Sequence, residues 1–164
     1  MSKSLEELKR ECDFNDKFIH LIPNPDKKFI ELMLNRMIVG FTKYGSWKKN
    51  RVEVDAVANA WVRINKYLDT GNTEWLIDAA NFFMMEFTIP LRQDSHYSLQ
   101  LAMNMGLSAL GTVKILTDEY KQTGNLGWLP LATDFLIVEW RNPTHKDAHF
   151  KGTDSHDAPP LAKF

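Results

Sequence analysis

The chain has 164 residues, 44% of them hydrophobic, and a formal net charge of −1 at pH 7. This length and composition fit one domain with its own core, and the near balance of acids and bases excludes an electrostatic case for binding duplex nucleic acid or an anionic membrane. Cys12 is the single cysteine, which excludes an internal disulfide and a cysteine-based zinc site, and without a membrane-length apolar run or a leader-like start we expect a cytoplasmic location.

Apolar residues recur at helical spacing almost throughout, and runs of alternating β-branched residues are absent. The pattern predicts an all-α protein in which a short polar helix at 4–12 precedes five main helices, at 26–44, 52–68, 73–89, 95–121 and 128–140. The glycine of each TGN sequence is suited to cap the helix before it, which makes two helix hairpins. We therefore predict a helical bundle over 1–143 with core helices in 26–90, a duplicated hairpin in 95–143, and a polar tail or lid at 144–164.

One segment occurs twice in the sequence, 53 residues apart. Residues 67–90 and 120–143 are identical at 10 of 24 positions, which include the TGN turn and a later tryptophan, glutamate and proline. The polar residues of the first repeat are replaced in the second, where Glu74, Asp78 and Asn81 correspond to Gly127, Leu131 and Asp134. This contrast predicts a working site in the first repeat and a mainly structural second repeat.

The predicted helix at 73–89 is apolar almost all round, except for three polar residues. Glu74, Asp78 and Asn81 follow at i, i+4 and i+7, so they project from one face of that helix. Because a buried carboxylate without a partner costs several kcal/mol, these acids need a cation, a basic residue or water. Two interpretations stay open. In the structural one, Glu74 complements the helix dipole and Asp78 pairs with an arginine; in the functional one, the acids belong to a site for nucleotide phosphate and Mg²⁺.

Basic and aromatic side chains in the neighbouring segments are the candidates for nucleotide contacts. We expect Asn81 to orient a ligand or water and Trp47 to stack on a base. The residues predicted to bind the nucleotide are Lys43, Tyr44, Trp47, Arg51, Arg63, Lys66, Asn81, His149 and Lys151. The His/Asp-rich end of the chain lacks a fixed metal-ligand spacing, which favours a solvated tail over a metal site there.

Three sequence stretches together resemble a known family. KYGSW follows the first main helix, TGNTEWLIDAANF follows the second, and AHFKGTDS comes late in the chain. The combination resembles the MazG-like all-α nucleotide pyrophosphohydrolase superfamily, and within it small MazG-like proteins of phages and actinobacteria, over about residues 28–90 and 144–156. The resemblance implies Mg²⁺ (or Mn²⁺) held by acids on two helices, and cleavage of nucleoside triphosphates between the α and β phosphates.

Carried over by position, the resemblance makes Glu31, Glu74 and Asp78 the metal ligands and catalytic residues. The chain departs from the family pattern in two ways. Its first main helix has one motif glutamate where the family has two or more, and Glu74 and Asp78 are spaced i, i+4 where the family has i, i+3.

The sequence leaves three functions in competition. The first is an Mg²⁺-dependent pyrophosphohydrolase acting on a (deoxy)nucleoside triphosphate, which the EWLID sequence favours. The second is a non-catalytic protein that binds or sequesters a nucleotide or signal nucleotide, of viral origin, which the small number of acids favours. The third is a structural assembly protein. The family also implies a homodimer, either along the apolar stripe Leu99, Met103, Leu110, Val113 and Leu116, or replaced in cis by the duplicated hairpin.

Overall fold

The computed structural model describes residues 2–101 and 106–151, and all regular secondary structure in these residues is helical. The all-α prediction is confirmed. The α-helices are α1 (Leu5–Glu11), α2 (Asp16–His20), α3 (Lys27–Tyr44), α4 (Ala56–Thr70), α5 (Glu74–Thr88), α6 (Ala109–Thr123) and α7 (Trp128–Arg141), and a 3₁₀ helix (Trp47–Glu53) joins α3 to α4. None of the helices in the described ranges is long and apolar enough to cross a membrane.

Side-chain caps determine where the central helices begin. The Asp26 carboxylate accepts from the Phe29 amide at 3.0 Å, and Asp55 accepts from the Ala58 amide at 3.0 Å. Each bond satisfies an amide that the first turn of a helix leaves without a partner. The Asp55 cap explains why α4 begins at Ala56 and not at the expected residue 52, since the preceding residues form the 3₁₀ helix.

The helices after the 3₁₀ helix form two hairpins that share one core. In the first hairpin α4 packs along α5, in the second α6 packs along α7, and α5 also contacts α7. The long helix α3 packs on α5 from another side. Because α5 has neighbours on several sides, its almost uniformly apolar sequence is explained by burial rather than by amphipathic patterning.

The two TGN turns have the same geometry. Gly71 ends α4 with φ of 78°, and Gly124 ends α6 with φ of 72°, a conformation that favours glycine. The Gly71 amide donates to the Tyr67 carbonyl at 2.7 Å, and the Gly124 amide donates to the Tyr120 carbonyl at 2.8 Å. The repeated TGN sequence thus encodes the same helix end in both hairpins.

The turn of each hairpin is closed by a short non-helical segment that follows the last helix of the other hairpin. We call residues 94–98, after α5, the first strap, and residues 147–151, after α7, the second strap. The His149 amide of the second strap donates to the Gly71 carbonyl at 2.9 Å, and the His96 amide of the first strap donates to the Gly124 carbonyl at 3.1 Å. The two hairpins therefore exchange their straps.

Two buried bonds between tyrosine and glutamate also run reciprocally between the hairpins. The Tyr67 hydroxyl on α4 donates to Glu139 on α7 at 2.6 Å, and the Tyr120 hydroxyl on α6 donates to Glu86 on α5. Burial, reinforced by the neighbouring carboxylate, raises the pKa of both tyrosines. Both hydroxyls therefore stay protonated and available as donors.

The predicted long helix at 95–121 is wrong over residues 95–101 and 106–108, which are not helical. Helix α6 begins only at Ala109, where the Ser108 hydroxyl accepts from the Gly111 amide at 3.0 Å. The first strap occupies the start of the expected helix, because the Ser98 amide is bonded to the Asn125 side chain at 3.0 Å. Of the expected dimer stripe, Val113 and Leu116 are buried inside the chain itself, and Met103 lies outside the described residues.

Candidate functional site

A pocket of about 530 Å³ lies between α3, the 3₁₀ helix, α4 and α5. Six residues predicted from the sequence to belong to a site line it: Tyr44, Trp47, Arg51, Arg63, Asp78 and Asn81. Its other walls include apolar side chains such as Met37, Phe41, Phe82 and Met85. The structure thus brings part of the predicted set together in one concave, largely apolar site.

Glu74 and Asp78 are both paired with Arg36 of α3. Arg36 Nη1 lies 3.0 Å from Glu74 Oε1, while its Nε and Nη2 donate to the two Asp78 carboxylate oxygens at 3.0 and 3.1 Å. The contacts are those of the structural interpretation, in which Asp78 pairs with an arginine. One guanidinium therefore contacts both acids, with a bidentate contact to Asp78, and offsets one of their two negative charges.

This pairing bears on the predicted metal site. Glu31 is exposed on α3, and across residues 2–101 and 106–151 no three His, Cys, Asp or Glu side chains are grouped so that they could hold a metal ion. The arrangement of Glu74 and Asp78 around Arg36 does not fit an open metal site, because the guanidinium occupies the space between the carboxylates. The Mg²⁺ or Mn²⁺ assignment of Glu31, Glu74 and Asp78 stays a prediction.

Arg63 is a buried cation in the pocket wall. Its relative exposure is 4%, and its Nε and Nη1 have no hydrogen-bond partner within the described part of the chain. The guanidinium lies 5.1 Å from the centre of the Phe82 ring. Burial lowers the pKa of Arg63, and the charge of Asp78 opposes that shift. Arginine still keeps its proton in proteins, so the pocket contains donors that need an acceptor.

Asn81, in the same pocket, has a buried acceptor that needs a donor. Its Nδ2 donates to the Met33 carbonyl at 3.1 Å, whereas its Oδ1 is buried without a partner among the residues described. An unsatisfied buried polar group costs about 1–3 kcal/mol. Native proteins leave few such groups, so two around one pocket mark a place where water, an ion or a ligand would complete the bonds.

Arg51, although it lines the pocket, has structural partners. Its Nε donates to the Ile89 carbonyl at 3.0 Å, its Nη1 donates to the Val54 carbonyl at 2.6 Å, and its Nη2 pairs with Glu86. These bonds hold the 3₁₀ helix to the end of α5. Arg51 therefore has a structural role in holding the walls of the pocket together.

Two aromatic residues of the predicted site stand at the mouth and side of the pocket. Tyr44 is 70% exposed at the end of α3. Trp47 is partly buried, and its indole Nε1 donates to the Cys12 carbonyl at 3.2 Å. This bond fixes the indole, so Trp47 offers a rigid apolar surface to anything in the pocket.

The remaining predicted residues lie elsewhere. Lys43 and Lys66 are exposed and do not line the pocket. His149 belongs to the second strap and lines a different pocket of about 400 Å³ with Lys28 and Trp140. The Lys151 amide donates to the Asn72 side chain at 3.2 Å. The end of the predicted tail, with Thr153 and Asp154, lies outside the described residues.

Sequence reasoning missed Arg36 as a residue of the site. A signal was present, because Arg36 is the only arginine in the predicted helix at 26–44 and two acids on a buried helix required a cation. Which basic residue supplies that cation depends on how α3 packs on α5, and the sequence spacing alone does not specify this.

Comparisons with known protein families, with curated proteins and with solved structures found no match for this chain. The function is therefore inferred from the chemistry of the pocket itself.

Proposed function

We propose that the pocket binds a nucleotide, with a phosphate on Arg63 and the base against the apolar and aromatic wall. The observation that carries this proposal is the buried Arg63 guanidinium, whose Nε and Nη1 lack an acceptor in the chain as described. Arginine donors match phosphate oxygens well. A charged group beside Phe82 and Trp47 suits a ligand with one anionic end and one flat apolar end.

The experiment that tests the proposal is a binding titration of the purified chain with a panel of nucleotides, in EDTA. Arg63→Met is expected to weaken nucleotide binding at least tenfold. The same substitution should change the free energy of unfolding of the unliganded chain by about 1 kcal/mol or less, because removing buried donors without a partner is offset by losing a positive charge near Asp78 and the contact with Phe82. Urea denaturation measures the second effect.

A matched control removes a lysine away from the pocket. Lys121→Met changes an exposed cation in the last turn of α6, in the second hairpin, and should leave both affinity and stability unchanged. Wild-type affinity in Arg63→Met would overturn the proposal, since the phosphate would then bind elsewhere.

A second candidate is the metal-dependent pyrophosphohydrolase. It is supported by the sequence resemblance and by Asp78, which lines the pocket. This function requires Arg36 to release the carboxylates, since they are paired in the present arrangement. In that case Mg²⁺ or Mn²⁺ should raise the melting temperature, because a ligand of the folded state stabilises it.

Product analysis separates the two candidates. The chain is incubated with nucleoside triphosphates and Mg²⁺, and monophosphate and pyrophosphate are resolved by ion-exchange chromatography. The hydrolase predicts release of both products, and Asp78→Ala should abolish turnover together with the metal-induced rise in melting temperature. Binding without products favours the non-catalytic binder.

The MazG-like architecture built from a duplicated hairpin is part of the same proposal. It is supported by the equal TGN turns and by the reciprocal straps. A homodimer and a cytoplasmic location stay predictions. Light scattering of the full chain tests the first, and the exchange of straps within one chain favours the replacement of a partner subunit in cis.

A further inference from the structure

The charges around the pocket limit how much negative charge a ligand can bring. Of the three arginines that line it, Arg36 is paired with Glu74 and Asp78, and Arg51 is paired with Glu86. Only the Arg63 donors are left without an acceptor in the described structure. The three arginines and the three acids Glu74, Asp78 and Glu86 sum to zero charge, so the pocket offers open donors on one guanidinium and no surplus of positive charge.

This count disfavours a chain of phosphates. A single phosphate monoester carries about −1.5 to −2 charges at pH 7, and each further phosphate adds negative charge that needs its own partner. Sites for triphosphates usually supply Mg²⁺ with several basic groups. Here Asp78 also lines the pocket, and Glu74 and Asp78 together carry one negative charge more than Arg36 offsets, so each added phosphate meets more repulsion.

Asn81 adds a requirement for a hydrogen-bond donor. Its Nδ2 bond to the Met33 carbonyl fixes the orientation of the amide, because a flipped amide would place oxygen against oxygen. The buried Oδ1 is then an acceptor that needs an N–H or O–H from the ligand. Ribose hydroxyls and base amino groups are such donors, whereas a phosphate dianion has none.

We propose that the ligand is a nucleoside monophosphate, with its one phosphate on Arg63 and a sugar or base donor on Asn81 Oδ1. This inference rests on the proposed function of the pocket and specifies the ligand by its phosphate number. A nucleoside offers Arg63 only neutral acceptors, and the dianion of a phosphate monoester has by itself no donor for Asn81. The monophosphate is the smallest nucleotide that satisfies both.

Calorimetric titration in EDTA compares the nucleoside, monophosphate, diphosphate and triphosphate of each common base. The monophosphate of the preferred base should bind at least tenfold more tightly than its triphosphate and its nucleoside. A triphosphate that binds as tightly or more tightly overturns this inference but leaves nucleotide binding intact. Failure of every nucleotide to bind overturns the proposed function and this inference together.

A charge placed at Asn81 gives a second, independent readout. Asn81→Asp keeps an oxygen acceptor but adds a negative charge, as in the second repeat, where Asp134 stands at the corresponding position. Monophosphate affinity should fall at least tenfold. Asn65→Asp adds the same charge at an exposed position of α4 that does not line the pocket, and should leave affinity unchanged. Circular dichroism checks that both variants fold, and equal affinities of Asn81→Asp and wild type overturn the proposal.

Discussion

The two hairpins share their turns and straps but differ in the face that α5 and α7 present. On α5, Asp78 and Glu74 meet Arg36, and the gap beside them is the pocket. On α7, Leu131 is buried, and Asp134 accepts from the Asn24 backbone amide at 2.9 Å, so a loop closes this face. A common scaffold therefore supports an open polar face in one hairpin and a closed one in the other.

A second difference concerns the buried glutamates that join the hairpins. Glu86 receives the charged guanidinium of Arg51 in addition to Tyr120. Glu139 receives the Tyr67 hydroxyl and the backbone amide and hydroxyl of Thr144, at 2.8 and 2.9 Å. The same buried carboxylate is thus satisfied by a countercharge in the first hairpin and by neutral donors in the second.

Replacing each of the two glutamates by glutamine should give the largest difference in stability between the hairpins. Glu86→Gln leaves the Arg51 charge buried without its counterion, which should cost about 3–5 kcal/mol of unfolding free energy. Glu139→Gln keeps an oxygen for its neutral donors and should cost about 1 kcal/mol or less. Urea denaturation measures both values, and equal costs would remove the distinction between the two environments.

Truncation of the closed face should affect stability without affecting binding. Leu131 is 3% exposed, so Leu131→Ala should cost about 2–5 kcal/mol while nucleotide affinity stays unchanged. Asp78→Ala at the corresponding position leaves Arg36 paired with Glu74, and should cost less stability but change affinity. Loss of affinity in Leu131→Ala at full stability would mean that the working repeat is the second one.

Removing the Tyr67 and Tyr120 hydroxyls should lower the free energy of unfolding less than Glu86→Gln does, and by unequal amounts. Tyr67→Phe leaves Glu139 with neutral donors only and should cost about 1.5–3 kcal/mol. Tyr120→Phe leaves Glu86 paired with Arg51 and should cost about 1 kcal/mol. A larger cost for Tyr120→Phe would contradict the assigned partners.

The pH dependence of stability in these two variants tests whether the protonated tyrosine hydroxyl causes the effect. The pKa of both tyrosines is raised in the folded chain, so their contribution is present below the unfolded-state pKa of about 10 and is lost as the pH rises above it. The stability difference between wild type and Tyr67→Phe should therefore shrink above about pH 10.

The helices were largely predictable because their ends are encoded locally. Asp26, Gly71 and Gly124 cap helices through bonds to neighbouring residues, and α3, α5 and α7 begin and end close to their predicted limits. The predicted helix start at residue 95 was wrong because Ser95 lies in the first strap and Ser108 is the N-cap of α6. Only the contact of the first strap with a distant turn decides between them.

The straps left a signal in the sequence that periodicity does not detect. Asp94 and His96 recur as Asp147 and His149 at the same spacing as the rest of the repeat, although they follow the prolines that end it. For the site, the types of residue were predictable, but the sequence did not show which of them have structural partners and which do not. Arg51 and Arg63 look alike in the sequence, and only packing shows that the first has buried partners and the second does not.

The second strap sets an order of events during synthesis. The Thr73 hydroxyl and amide both bond to the carbonyl of His149, which is translated 76 residues later. A ribosome thus releases the whole first hairpin well before the residues that close its turn exist. Until then the turn is open to water, and a premature stop after Pro143 would leave it open although every helix of the described residues had been made. Completion of the fold is therefore coupled to translation of the last described residues.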